Sequence, residues 1–225
     1  MAASKPTPSK ATPSLLVKQT LATKLKEEII RGTLPQGQRI VEKLWARKFE
    51  VAQTSVREAI NLLISEGFAT KDSGRSARVT SYSAADIVHI YEVRSALEGL
   101  AARLLSQAKV DLSPLHNAIA RMATAIQRKN VSELLEADLL FHLRLCELTG
   151  NDFLSQQART LLVPLFAFVS MRVGKNSRLA TAWAEDLERH AAIIRAIEDG
   201  EPMLAELSAR NAIQKFATRA NEIWQ

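Results

Sequence analysis

Apolar positions along this chain fall almost everywhere at the three-to-four-residue spacing of helices. Leu15, Leu16, Leu21, Leu25, Ile29 and Ile30 give one apolar side to a first helix from near Ser14 to Arg31. Leu34-Pro35-Gln36-Gly37 reads as a turn, and Val41 to Phe49 as a short amphipathic stretch. Between Thr54 and Gly67, the residues Val56, Ala59, Ile60, Leu63 and Ile64 share one side, leaving Gln53, Thr54, Arg57 and Asn61 on the other. Two short helices about a tight turn predict a helix-turn-helix. After Gly67 the period changes. Phe68 to Lys71, a turn at Asp72-Ser73-Gly74, and Ala77 to Thr80 predict a small β-hairpin with Arg75 and Arg78 near its tip. A helix-turn-helix followed by a basic hairpin is a winged helix, and the outward side of its second helix is the side that meets base edges and phosphates.

Beyond Tyr82 only helical periodicity remains. Ser83 and Asp86 have the spacing of a capping box that opens a long helix through Leu104 or Leu105. Breaks at Asp111 to Pro114, Asn130 to Glu133, Gly150 to Asp152, Gly174 to Asn176 and Gly200 to Pro202 then divide the rest into about six helices. Their apolar stripes require burial on one another. The expected fold is mainly α: a disordered arm over 1–14, a winged helix-turn-helix with a small β-hairpin wing over 15–82, and an all-α helical bundle over 83–225. The arm rests on Pro6, Pro8 and Pro13 among small polar residues, a composition unable to bury enough surface to become ordered.

Charge sharpens the division. Residues 1–80 hold 14 Lys and Arg against 7 Asp and Glu, net +7, whereas residues 81–225 come to net −1. A basic head on a near-neutral body suits displacement of counterions from a phosphate backbone. No apolar run approaches the ~20 residues of a membrane span, and the N-terminus lacks a secretory core, so the expectation is cytoplasmic, nucleoid-associated when bound to DNA. A single cysteine, Cys146, excludes an internal disulfide framework and agrees with a reducing compartment.

The run Ile30 to Gly37, then Leu44-Trp45-Ala46, then Val56-Arg57-Glu58-Ala59-Ile60, then Glu66-Gly67-Phe68, resembles the N-terminal domain of the GntR family of bacterial transcription regulators. The resemblance implies double-stranded DNA as partner. Arg57 would grip a phosphate or base, with Gln53, Thr54 and Ser55 at the groove edge, Lys43 on the backbone, and Gly74 with Arg75 at the minor groove or its flanking phosphates. Two positions depart from the family pattern. Gln53 stands where an arginine usually reads guanine, and glutamine pairs more naturally with adenine. Glu50 stands where the turn usually has glycine.

The helical half also carries a resemblance. Asp86 to Glu98, Asp138-Leu139-Leu140-Phe141-His142 with Thr149-Gly150-Asn151, and His190 with Ile193 to Glu198 resemble the effector-binding FCD domain of the FadR subfamily. Asp138 and His142 stand one helical turn apart, a spacing that lets both grip one cation or lets them simply pair with each other. The resemblance implies a divalent metal, Zn or Ni, held by Asp138, His142 and His190. Its fourth position falls near Ala212, with Asn211 beside it, and neither offers an imidazole. The other reading of His190 is a satisfied buried histidine. Arg94 lies among Val88, Ile90, Tyr91, Val93 and Leu97, where a guanidinium needs a partner. That partner is an organic-acid effector, as the resemblance implies, or Glu98 or Glu92 on the same helix. Asn151 joins Arg94 as an effector-binding residue by resemblance. Cys146 reads as a small core residue, and Trp45, Trp183 and Trp224 as packing residues.

These residues together predict a ligand-responsive, DNA-binding transcription regulator: a homodimer reading a near-palindrome, repressing until a small organic acid releases it, with no catalytic residues. Two alternatives stand beside it. One is a metal-dependent enzyme using Asp138, His142 and His190 as a two-histidine, one-carboxylate set. The other is an effector-independent DNA-binding protein.

Overall fold

The computed structural model describes residues 13–72, 76–173 and 183–224, with side chains from Val17 to Thr218 apart from the stretches 73–75 and 174–185. The expected arm therefore lies almost wholly outside the described residues. So do the wing tip with Gly74 and Arg75, the break at Gly174, and the side chains of Trp183 and Trp224. Contacts divide the chain into two units, Met1–Thr80 and Ser81–Gln225.

In the first unit α1 (Pro13–Ile30) buries Leu21, Ala22, Leu25 and Ile29 against α3 (Gln53–Ser65), whose Val56, Ala59, Ile60 and Leu63 close the core. The intervening α2 (Glu42–Phe49) buries Trp45, with the Phe49 ring 5.4 Å from it. Glu50 ends α2 with φ +55°, the left-handed conformation that turns the next amide, Val51 N, back to Ala46 O at 3.0 Å. Glycine adopts it at little cost and glutamate does not. Strands β1 (Ala69–Thr70) and β2 (Arg78–Val79) pair antiparallel, Ala69 opposite Val79 and Thr70 opposite Arg78. The two-stranded wing follows α3 directly, as the change of period predicts.

The second unit has six helices among the described residues: α4 (Ala84–Ser106), α5 (Ser113–Gln127), α6 (Val131–Glu147), α7 (Asp152–Val173), α8 (Trp183–Glu198) and α9 (Pro202–Trp224). The capping box forms at α4: Ser83 Oγ accepts Asp86 N at 3.1 Å, and Ser83 N donates to the Asp86 carboxylate at 2.8 Å. Helices α4 and α9 lie antiparallel, Arg103 pairing with Glu206 at 3.5 Å and Gly99 facing Arg210. A Cβ at Gly99 would stand 2.9 Å from Arg210 Cγ, so the missing side chain lets the two helices approach. Leu105, Leu115, Met122, Leu145, Cys146, Leu162, Ile193 and Ala209 fill the centre. No described helix is long and apolar enough to cross a membrane.

Candidate functional site

The outward side of α3 carries Gln53, Thr54, Arg57 and Asn61 exposed, with Ser55 half-buried, and Lys43 exposed on α2. Neither helix begins on a capping side chain: Val41 precedes α2 and Ala52 precedes α3. Their first amides thus have no side-chain acceptor at the cap position. Arg39, Lys43, Arg57 and Lys71 surround a groove that has one acidic residue in it, Glu42.

Glu42 is the residue that sequence reasoning passed over. Its carboxylate accepts Arg57 Nη2 at 2.9 Å, Arg57 Nε at 3.1 Å and Gln53 Nε2 at 3.0 Å. The hydrogen bond from Arg57 chiefly, and that from Gln53 further, outweigh the cost of partial burial and hold Glu42 below the ordinary glutamate range. One carboxylate on α2 therefore sets the resting positions of two side chains on α3. Residue order gave a signal, a lone acid opening α2 in a basic head. The crossing of α2 over α3 was needed to show what it holds.

The bundle contains a second, buried assembly. Asp138 and His142 stand one turn apart on α6, and His190 comes from α8. Asp138 Oδ1 lies 3.0 Å from both His142 Nε2 and His190 Nε2, and the two imidazole nitrogens are 3.2 Å apart. His190 Nδ1–H donates to the Asp186 carbonyl at 2.6 Å, and His142 Nδ1–H donates to the Glu98 carboxylate from α4. Both rings are thereby turned so that Nε2 faces Asp138. Three electron-pair donors converge on one point, where a proton on either Nε2 or a metal ion can sit between them. Burial and the nearby Arg94 would lower the His142 pKa, but Glu98 and Asp138 outweigh them and raise it. Asp138 is driven the opposite way: burial alone would raise its pKa, yet its bonds to His142 and His190 hold it well below the carboxylate range.

Donor chemistry and spacing fit a divalent ion. Ligands ~2.1 Å from a metal and at right angles to one another stand ~3.0 Å apart, close to the edges of this triangle. Three donors are one fewer than the set the resemblance implies, in keeping with the missing fourth imidazole. Ala212 is buried on α9, and one turn further on Phe216 stacks on His190, ring centroids 5.3 Å apart at 25°, and meets His142 edge-on. Phe141 presses edge-on against both imidazoles. Apolar rings thus wall the donors, and Phe216 is a wall residue that the sequence reading did not single out.

Arg94 is 1% exposed and bonds Glu98 through Nε at 2.6 Å, the same-helix partner. Burial works against both charges, and their mutual attraction overcomes it, raising the Arg94 pKa and lowering that of Glu98. The guanidinium sits over Tyr91 and Phe166 at 5.1 and 5.2 Å, and its Nη2 has no hydrogen-bond partner. Asn151 does not join this assembly. It is exposed, and its Oδ1 caps α7 by accepting Leu154 N at 3.1 Å. Cys146, one turn beyond His142, is buried in the core with its thiol pKa pushed up by burial.

Residues 17–79 match the bacterial regulatory proteins of the gntR family, and residues 89–215 match the FCD domain. The chain is 26% identical over 212 residues to the gluconate operon transcriptional repressor of Bacillus licheniformis, covering 91% of this chain and 85% of that protein. It is 31% identical over 133 residues to YdhC, an HTH-type transcriptional regulator of Bacillus subtilis, an alignment that spans 58% of this chain and 59% of that one. Among solved structures, McbR/YncC of E. coli superposes with a TM-score of 0.73 at 17% identity, covering 93% of this chain and 99% of that one. A GntR regulator of Rhodococcus sp. RHA1 gives 0.67 at 21% identity, covering 91% and 95%. A basic winged head and these matches converge: the chain belongs to the GntR family of bacterial regulatory proteins, with an FCD domain following its head in the chain, and is, as its relatives are, a DNA-binding transcription regulator and not an enzyme.

Proposed function

We propose that this regulator is a cytoplasmic homodimeric repressor that a small organic acid releases from its operator, and that Asp138, His142 and His190 hold a divalent ion, Zn or Ni, beside the effector site. The observation that carries this reading is the buried Arg94 Nη2 without a partner, on a guanidinium held by the same Glu98 that orients His142. A buried donor left unmade costs free energy, and a carboxylate oxygen satisfies it with a charge-assisted bond. When bound, the metal supplies a fixed positive charge toward which an anionic ligand is drawn. Tyr91, Phe166 and Phe216 exclude water around the guanidinium and strengthen its hold on an anion.

In the head, Arg57 grips a phosphate or base, Gln53, Thr54 and Ser55 meet the groove edge, Lys43 the backbone, and Gly74 with Arg75 the minor groove or its flanking phosphates. One recognition helix spans too few base pairs for useful selectivity, so two copies read a near-palindrome. An effector that prefers dimers whose heads mismatch the half-site spacing lowers operator affinity by that preference.

Metal content of protein purified without added metal, set beside Asp138→Ala, tests the cation site. Stoichiometric metal in the parent and loss in the variant are expected, whereas negligible metal in both rejects it. Fluorescence anisotropy with an operator fragment and a panel of small carboxylic acids tests release. At least one acid should loosen the complex, and a panel without effect overturns the organic-acid reading.

A further inference from the structure

Glu42 opens α2, where the helix dipole favours a negative charge, and it is the one acid beside Arg39, Lys43, Arg57 and Lys71 around the groove. On charge alone a carboxylate in that place repels phosphate and weakens binding to any duplex. Its hydrogen bonds give it a second effect. Gln53 and Arg57 stand one turn apart on α3, both exposed, and Glu42 touches both. Oε2 accepts Gln53 Nε2 at 3.0 Å and Arg57 Nη2 at 2.9 Å, and both carboxylate oxygens lie 3.1 Å from Arg57 Nε.

A guanidinium carries five N–H groups in a fixed fork. Those on Nε and one side of Nη2 face Glu42, so the edge made by Nη1 and the other side of Nη2 is left for an outside acceptor. That edge suits guanine N7 and O6 or a pair of phosphate oxygens. The effect on Gln53 is sharper. A carboxylate only accepts hydrogen bonds, so it holds the amide nitrogen of Gln53 and leaves the amide oxygen, with the second N–H, to face elsewhere. An unbraced glutamine amide turns readily between two senses, and adenine, with its N7 acceptor and N6 donor, is matched by one of them. Glu42 removes that ambiguity before DNA arrives.

We infer that Glu42 is a specificity-determining positioning residue of the head: it braces the inner edges of Gln53 and Arg57 so that their outer edges meet the bases in one fixed arrangement. This role rests on Gln53 and Arg57 meeting DNA, as proposed above, and names the residue that sets their selectivity. On a random duplex a phosphate draws Arg57 away and leaves the carboxylate uncompensated beside the DNA backbone. On the matching site both contacts to Glu42 persist. Discrimination thus arises twice, from a weakened wrong complex and a better aligned right one.

Glu42→Gln tests it, because the variant keeps the length of the side chain and loses both its charge and its acceptor-only character. The full-length parent selects binding sites from a randomised duplex library, and parent and variant are then titrated with the recovered site and with random duplex by fluorescence anisotropy. The variant should hold random duplex at least as tightly as the parent does. Its preference for the recovered site should fall by at least about tenfold, the share of one two-point base contact. The preference should be lost at the base pair that Gln53→Ala loosens, and Gln53→Ala should add little once Glu42→Gln is present. Thermal unfolding should stay nearly unchanged, since the pair is exposed. An equal gain on both duplexes would make Glu42 a mere rival of phosphate, and an equal loss with a lower melting temperature would make it a folding contact. Either result overturns the role, as does an unchanged preference, and each leaves Gln53 and Arg57 as DNA contacts. A parent chain that recovers no site overturns those contacts as well.

Discussion

The head and the bundle each contain a glutamate gripping an arginine, and they differ in their access to water. The Glu42 and Arg57 side chains are 24% and 55% exposed, whereas those of Glu98 and Arg94 are each 1% exposed. At the surface, solvent screens the pair and either partner can be exchanged for another ion at little cost. Inside, neither charge has anywhere else to go. The exposed pair suits a reading surface, since a phosphate or a base edge can take Arg57 or Gln53 from Glu42 without unfolding anything. The buried pair suits a fixed frame, because it keeps His142 aimed at Asp138 while ligands come and go.

Removing the carboxylate on each side separates the two cases. Glu98→Ala leaves a guanidinium and an imidazole buried without their shared counter-ion, and a loss of about 3–5 kcal/mol in bundle stability is expected from urea unfolding. An unchanged midpoint would mean that the guanidinium and the imidazole find water or another acid, and the contrast with the head would disappear. Arg57→Ala should leave the bundle's unfolding untouched while weakening operator binding about ten- to a hundredfold in an anisotropy titration. It should also flatten the log–log salt dependence by about 0.9 if Arg57 neutralises one phosphate. Glu50→Gly is the smallest change. Relief of a left-handed glutamate should stabilise the head by about 1 kcal/mol, read as a rise in its melting temperature. A fall would show that the glutamate side chain contributes more than its backbone conformation costs.

Local patterns reported the elements well, and long-range geometry was legible only where a helical turn or a family motif encoded it. The apolar spacing of Val56, Ala59, Ile60 and Leu63 and the Ser83–Asp86 capping box are short-range signals, and the corresponding helices form. Asp138 and His142 meet because one turn of α6 joins them, and the motif around His190 was enough to name the third donor. Glu98 was legible as a same-helix partner of Arg94. Its other oxygen, which turns His142, depends on the packing of α4 against α6, 44 residues away in the chain. Phe216 was missed for a similar reason, since an aromatic at helical spacing reads as core whichever ring it covers. Asn151 has a local role that motif likeness did not point to: an asparagine following a glycine and preceding a helix is placed to cap it, and here it does.

Cys146 gives this arrangement a built-in clock. The thiolate is the reactive form, and burial both keeps this thiol protonated and shuts reagents out. A thiol reagent therefore reaches sulfur only during the brief intervals when α6 parts from its neighbours, so the labelling rate counts those openings. Any metabolite that ties the helices together slows the count in proportion to its occupancy, and an unknown inducer can be ranked against others with no operator in the tube.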